Sequence, residues 1–99
     1  ISGSGPAYVF AFMEALENAA IAQGLSPELA RQLVQQTLRG AALLANQSTE
    51  QFSRLREQVT SKGGTTEAAL EAFSKGQFSS LIDTAVRAAS ARSTALSGQ

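Results

Sequence analysis

Three hydroxyl side chains and two glycines fall within one short stretch of this 99-residue chain, Ser61-Lys62-Gly63-Gly64-Thr65-Thr66. Adjacent glycines permit positive φ and let a ligand approach the backbone closely. A helical pattern resumes at once through Glu67, Ala68, Ala69, Leu70 and Phe73, with Thr65 or Thr66 as the expected N-cap. A helix start presents unpaired N–H groups and the positive end of the macrodipole. A glycine loop feeding such a start is a ready cradle for a carboxylate or a phosphate. The same residue types also build plain turns between helices, and local composition leaves both readings open.

Composition narrows what such a site can do. The chain has no cysteine and no histidine, which removes thiol chemistry, disulfides, imidazole acid–base catalysis and the usual zinc sites. Eight basic and eight acidic residues give a formal net charge of zero, so nothing favours nucleic acid or an anionic membrane. No apolar run is long enough to span a bilayer, and no signal peptide pattern appears. The absence of cysteine fits a reducing compartment, and the expected setting is the cytoplasm. The chain opens at Ile1 without an initiator methionine, which suggests a piece of a longer protein.

The elements that must position the loop read as helices throughout, within one domain. Ser4 or Gly5 caps a helix with Pro6 at its first position, running from Ala7 to Gly24. Its apolar residues nearly encircle it, which predicts burial in a core or against a partner. Ser26-Pro27-Glu28 starts a second, cleanly amphipathic helix reaching Asn46. Gly40 inside it marks an expected close approach by another helix. Ser48 and Gln51 have capping-box spacing ahead of a short helix with Phe52, Leu55 and Val59 on one side. Beyond the loop, Thr65 to Lys75 is helical, Gly76 is a stop, and the last helix runs from Phe78 towards Leu96, with Ser97 to Gln99 fraying. The fold class is therefore all-α, a five-helix bundle. Eighteen alanines let helices pack closely but supply little apolar area each, which gives a chain of this size a reason to dimerise.

Other constellations carry less. Gly3-Ser4-Gly5 lacks the third glycine and the preceding strand of a dinucleotide fingerprint. Glu14 and Glu17 read as the wet stripe of an apolar helix. Tyr8 reads as a core or interface residue. No nucleophile–base pair is present.

Two segments together resemble a known family. Ser2-Gly3-Ser4-Gly5-Pro6-Ala7-Tyr8 opens a long apolar helix, and Val59-Thr60-Ser61-Lys62-Gly63-Gly64-Thr65-Thr66 leads into Glu67-Ala68-Ala69-Leu70-Glu71-Ala72-Phe73. The chain looks like the C-terminal domain of pyrroline-5-carboxylate reductase over essentially its whole length. The resemblance implies an oxidoreductase that reduces Δ1-pyrroline-5-carboxylate to proline, with hydride from NADPH or NADH held mainly by a preceding Rossmann domain. It implies a helical domain that interlocks with a second copy, as a homodimer or a larger assembly of dimers, with the active site at the interface. The loop Ser61 to Thr66, Gly63 and Gly64 included, would then hold the substrate carboxylate. Its donors would be the Ser61 hydroxyl and the N–H groups of Thr65 and Thr66. The Thr66 hydroxyl would lie near the ring nitrogen as a catalytic proton source, Val59 would line the pocket, and Ser4-Gly5-Pro6-Ala7 would lie near the nicotinamide. Lys62 departs from the family's usual proline. The domain alone is expected to be inactive. Two rivals remain from the sequence: a non-enzymatic helical dimerisation module, and the helical domain of a related small-acid dehydrogenase.

Overall fold

A computed structural model describes residues 3–98 of the chain. Ile1, Ser2 and Gln99 lie outside the described residues, and with them the part Ser2 plays in the N-terminal motif and the fraying expected of Gln99. Among the described residues there are five helices and no strand: α1 Gly5–Ala22, α2 Pro27–Asn46, α3 Phe52–Gln58, α4 Thr65–Lys75 and α5 Phe78–Ser97. The all-α class and the order of the helices are as expected. The helices fall into two compact units, Ile1–Phe52 and Ser53–Gln99.

In the first unit the boundaries follow from local chemistry. Ser4 is the N-cap of α1, and Pro6 sits within its first two positions, where a missing N–H costs nothing. The helix ends in a Schellman motif. Gly24 takes φ +109°, its N–H donates to the Ile21 carbonyl at 2.9 Å, and the Leu25 N–H donates to Ala20 at 3.2 Å. Ser26 caps α2, its Oγ accepting from the Leu29 N–H at 3.2 Å, with Pro27 and Glu28 in the first turn. The apolar face of α2 packs on α1 around Ala30 and Val34, the only buried side chains among the described residues. Ser48 does not cap α3. Its Oγ accepts from the Glu50 N–H at 3.0 Å, closing a local turn before the helix starts at Phe52.

The second unit holds α4 against α5. Gly76 ends α4, and the two-residue connection turns back through Gln77 in the left-handed conformation, φ 58°. The turn stacks Phe73 on Phe78, with ring centroids 5.0 Å apart and planes 18° from parallel. The far end of α5 does not fray at Ser97: the helix includes that residue, and the Gly98 N–H donates to Thr94 at 2.9 Å.

Burial is where expectation and structure part. None of α1 is buried, although it is apolar nearly all round; Phe10 is 66% exposed, and Phe52 at the start of α3 is 79% exposed. The core alternative for α1 therefore fails within this chain. Among the described residues nothing lies within 4 Å of where a Cβ on Gly40 would stand, so no helix of its own unit makes the close approach expected there. The accessible surface is 8107 Å². Even two separate compact bodies of half this mass would together expose only about 6,500 Å². The chain leaves apolar faces uncovered that its own helices do not reach.

Gln77 occupies a conformation that costs an L-residue about 1 kcal/mol, and its side chain makes no hydrogen bond among the described residues. Gln77→Gly is expected to raise unfolding stability by about 0.5–1 kcal/mol in denaturant titration. A loss of stability would show that the turn carries no strain.

Candidate functional site

The loop between α3 and α4 is built from its two glycines. The Gly64 N–H donates to the Ser61 carbonyl at 3.1 Å, and Gly63 between them has φ +75°. That is the arrangement of a type II turn, with Lys62 at its second position and glycine at its third. The two glycines serve different needs. Gly63 supplies the left-handed backbone. Gly64 supplies room, since a Cβ there would stand 3.3 Å from the Ser61 carbonyl oxygen and 3.5 Å from the Ser61 Cβ. The turn is held at its near end by the Thr60 hydroxyl, which donates to the Arg56 carbonyl at 2.6 Å.

The helix start differs from the expected cap. Gly64, extended at φ −93° and ψ −174°, is the N-cap of α4, and Thr65 and Thr66 are already helical. The cause is the turn: it delivers the chain to the helix axis at Gly64, one residue before either threonine. A threonine cap would spend its hydroxyl on a backbone N–H. A glycine cap has no side chain to spend. Among the described residues, the N–H groups of Thr65, Thr66 and Glu67 accordingly have no acceptor, and the Ser61, Thr65 and Thr66 hydroxyls make no hydrogen bond. The first intrahelical bond is Ala68 N–H to the Gly64 carbonyl at 3.3 Å. Backbone donors, hydroxyls and the positive helix end thus lie within one short, largely exposed stretch.

One residue of this region was not assigned a role from sequence. Glu67, third residue of α4, accepts the Gly63 N–H on its Oε1 at 3.0 Å. Its signal was the spacing Gly64-x-x-Glu67, that of a capping box, with the carboxylate here reaching one residue further back than the cap.

The remaining predicted residues sit as follows. Val59 is 64% exposed and forms no wall within its unit. A concavity of about 750 Å³ does open in the second unit, beside Arg56, Leu70 and the Phe73–Phe78 pair, but no residue from Val59 to Thr66 lines it. Ser4-Gly5-Pro6-Ala7 belongs to the first unit, at the start of α1. The Ser4 Oγ is engaged with the Tyr8 hydroxyl at 2.7 Å, and the Ala7 N–H donates to the Ser4 carbonyl at 3.0 Å. Pro6 has no N–H, and the Ser4 and Gly5 N–H groups have no acceptor among the described residues. No group of three or more metal-ligating side chains is assembled among the described residues. No helix is long and apolar enough to cross a membrane.

A family model described as pyrroline-5-carboxylate reductase dimerisation matches residues 1–96. The chain is 54% identical over 93 residues to a pyrroline-5-carboxylate reductase of Vibrio alginolyticus, covering 92% of this chain and 34% of that protein. It is 46% identical over 99 residues to that of Pseudomonas aeruginosa, covering 100% of this chain and 36% of the relative. Among solved structures, the pyrroline carboxylate reductase of Plasmodium falciparum with NADP bound superposes with a TM-score of 0.86 at 39% identity, over 89% of this chain and 34% of that one. The chain thus spans about a third of the length of the curated relatives it matches. A match along nearly the whole chain shows that it belongs to the pyrroline-5-carboxylate reductase family and corresponds to that family's dimerisation region.

Proposed function

We propose that the chain is the helical dimerisation and substrate-binding domain, residues 1–99, of an NAD(P)H-dependent reductase that converts Δ1-pyrroline-5-carboxylate to proline. The observation that carries the reading is the start of α4, where the Thr65, Thr66 and Glu67 N–H groups and the Ser61, Thr65 and Thr66 hydroxyls have no partner among the described residues, in a chain matched along its length by that family. The ligand has one anionic handle, its carboxylate. A helix start of this kind binds such a handle without a bulky cation.

The division of labour follows from the donors. The Ser61 hydroxyl and the Thr65 and Thr66 N–H groups hold the carboxylate, and Gly63 and Gly64 let it come close to the backbone. The Thr66 hydroxyl faces the ring nitrogen and helps the proton reach it, directly or through a water. The reduced nicotinamide supplies the hydride when bound. Hydride transfer asks the protein for positioning and exclusion of water rather than for a nucleophile. The Ser4 to Ala7 turn, at the start of the apolar helix α1, suits contact with the uncharged nicotinamide end. The grip on the cofactor's phosphates belongs to a nucleotide-binding domain preceding this one in the parent chain. The proposed setting is the cytoplasm.

A second copy is the proposed cover for the faces left open on α1 and α2, and closure of the dimer supplies the wall that Val59 lacks. The chain is expected to sediment at about twice 10.3 kDa at micromolar concentration. A monomer would count against the pairing.

In the full-length reductase, Thr66→Ala is expected to lower kcat/KM for pyrroline-5-carboxylate about tenfold or more, the scale of a hydrogen bond to a charged group. Pyrroline-5-carboxylate-dependent NADPH oxidation measures it, and unchanged kinetics would remove Thr66 from the site. Lys62→Pro is expected to stabilise the domain by about 0.4–1 kcal/mol while turnover is kept. The second position of a type II turn takes proline's φ, and the Lys62 N–H has no acceptor among the described residues. Destabilisation in a thermal melt would refute the turn assignment.

A further inference from the structure

The loop that carries the proposed site is exposed on most of its length, and its backbone is soft by composition. Its own turn hydrogen bond closes Ser61 to Gly64 but does not fix that turn to α4. The middle peptide of a type II turn, between Lys62 and Gly63, is the unit that flips most readily, because glycine at the third position tolerates either sign of φ. Its N–H is the one that the Glu67 carboxylate accepts, at 3.0 Å. Among the described residues, Glu67 is the one side chain that ties the turn to the helix it feeds.

We infer that Glu67 is a positioning residue for carboxylate binding at this loop, an inference that rests on the reading of the loop as the substrate-carboxylate site. By holding the Gly63 N–H, Glu67 keeps the middle peptide in one orientation. Gly64 then enters the helix extended, and the Thr65 and Thr66 N–H groups stay together and unpaired. Glu67 touches neither the reacting ring nor the hydride, so its influence falls on binding rather than on the chemical step. Its charge is not what the role requires. A carboxylate beside an anion site opposes the ligand, so the useful property is the acceptor oxygen and its reach. Glutamine keeps both; methionine matches the length and helix propensity but offers no comparable acceptor.

The test compares Glu67→Gln and Glu67→Met in the full-length reductase, with pyrroline-5-carboxylate varied at saturating NADPH. Glu67→Met is expected to raise KM for pyrroline-5-carboxylate about three- to tenfold, with kcat within about twofold and KM for NADPH unchanged. Glu67→Gln is expected to restore the wild-type KM or lower it. An unchanged KM in Glu67→Met, or a Glu67→Gln variant as impaired as Glu67→Met, overturns the inference. A fall in kcat at constant KM also overturns it. Should Glu67→Met lose its helical circular dichroism, Glu67→Ala repeats the comparison with the smaller side chain. The failure of the underlying site looks different: Thr66→Ala would then leave the kinetics untouched, whatever the Glu67 variants do.

Discussion

Apolar surface that a chain cannot cover by itself is the constraint from which the rest of this structure follows. Among the described residues only Ala30 and Val34 are buried, both on α2 where it meets α1. Half-buried side chains add to these two, yet the accessible surface exceeds that of two compact bodies of half this mass, so apolar faces remain open. The one ion pair among the described residues, Asp83 to Arg87 at 2.8 Å, is exposed on α5 and contributes little. Covering those open faces is what would add stability. The family match to a dimerisation region supplies the natural source of that cover.

The same constraint explains the alanines and glycines. Alanine gives high helix propensity with little apolar area, so an alanine-rich helix pair folds readily but holds weakly until another backbone comes close. Gly40 fits that pattern. It costs roughly 1 kcal/mol in a helix interior, and among the described residues nothing lies within 4 Å of its Cβ position. The glycines of the loop differ in kind. Gly63 and Gly64 are required by local geometry, one by its φ and one by the Ser61 carbonyl, and that geometry is complete within the second unit.

How much was legible in the sequence divides along this line. Local punctuation read well: Ser26-Pro27-Glu28 began α2, Asn46 ended it, Gly24 closed α1, and Gly76 closed α4, because each depends on a few neighbouring residues. Choices among adjacent candidates read less well. Thr65 and Thr66 are N-caps as good as glycine by propensity, and Gly64 took the cap because the turn before it sets where the helix axis is met. Ser48 had capping-box spacing, yet its hydroxyl found the nearer Glu50 N–H. Burial was the least legible. The periodicity of α1 says that the helix is covered and not by what, and the core of this chain does not cover it. In the candidate site, the donors could be named from residue types, but the role of Glu67 depended on a turn whose type is a matter of dihedral angles.

The glycine cap is where fold and proposed chemistry meet. By hydrogen bonding alone, a serine or aspartate at that position would strengthen α4 by roughly a few tenths of a kcal/mol by accepting one of its first N–H groups, but its Cβ would stand 3.3 Å from the Ser61 carbonyl oxygen. It would also consume a donor that an incoming carboxylate needs. Glycine forgoes that stability and leaves the donors unpaired, while Glu67, one turn along, recovers part of it by binding the Gly63 N–H and placing negative charge near the positive helix end. The helix start is therefore held in shape by a contact that does not occupy it. An anion site has a direct use for those free donors, as the proposed reading of the loop requires.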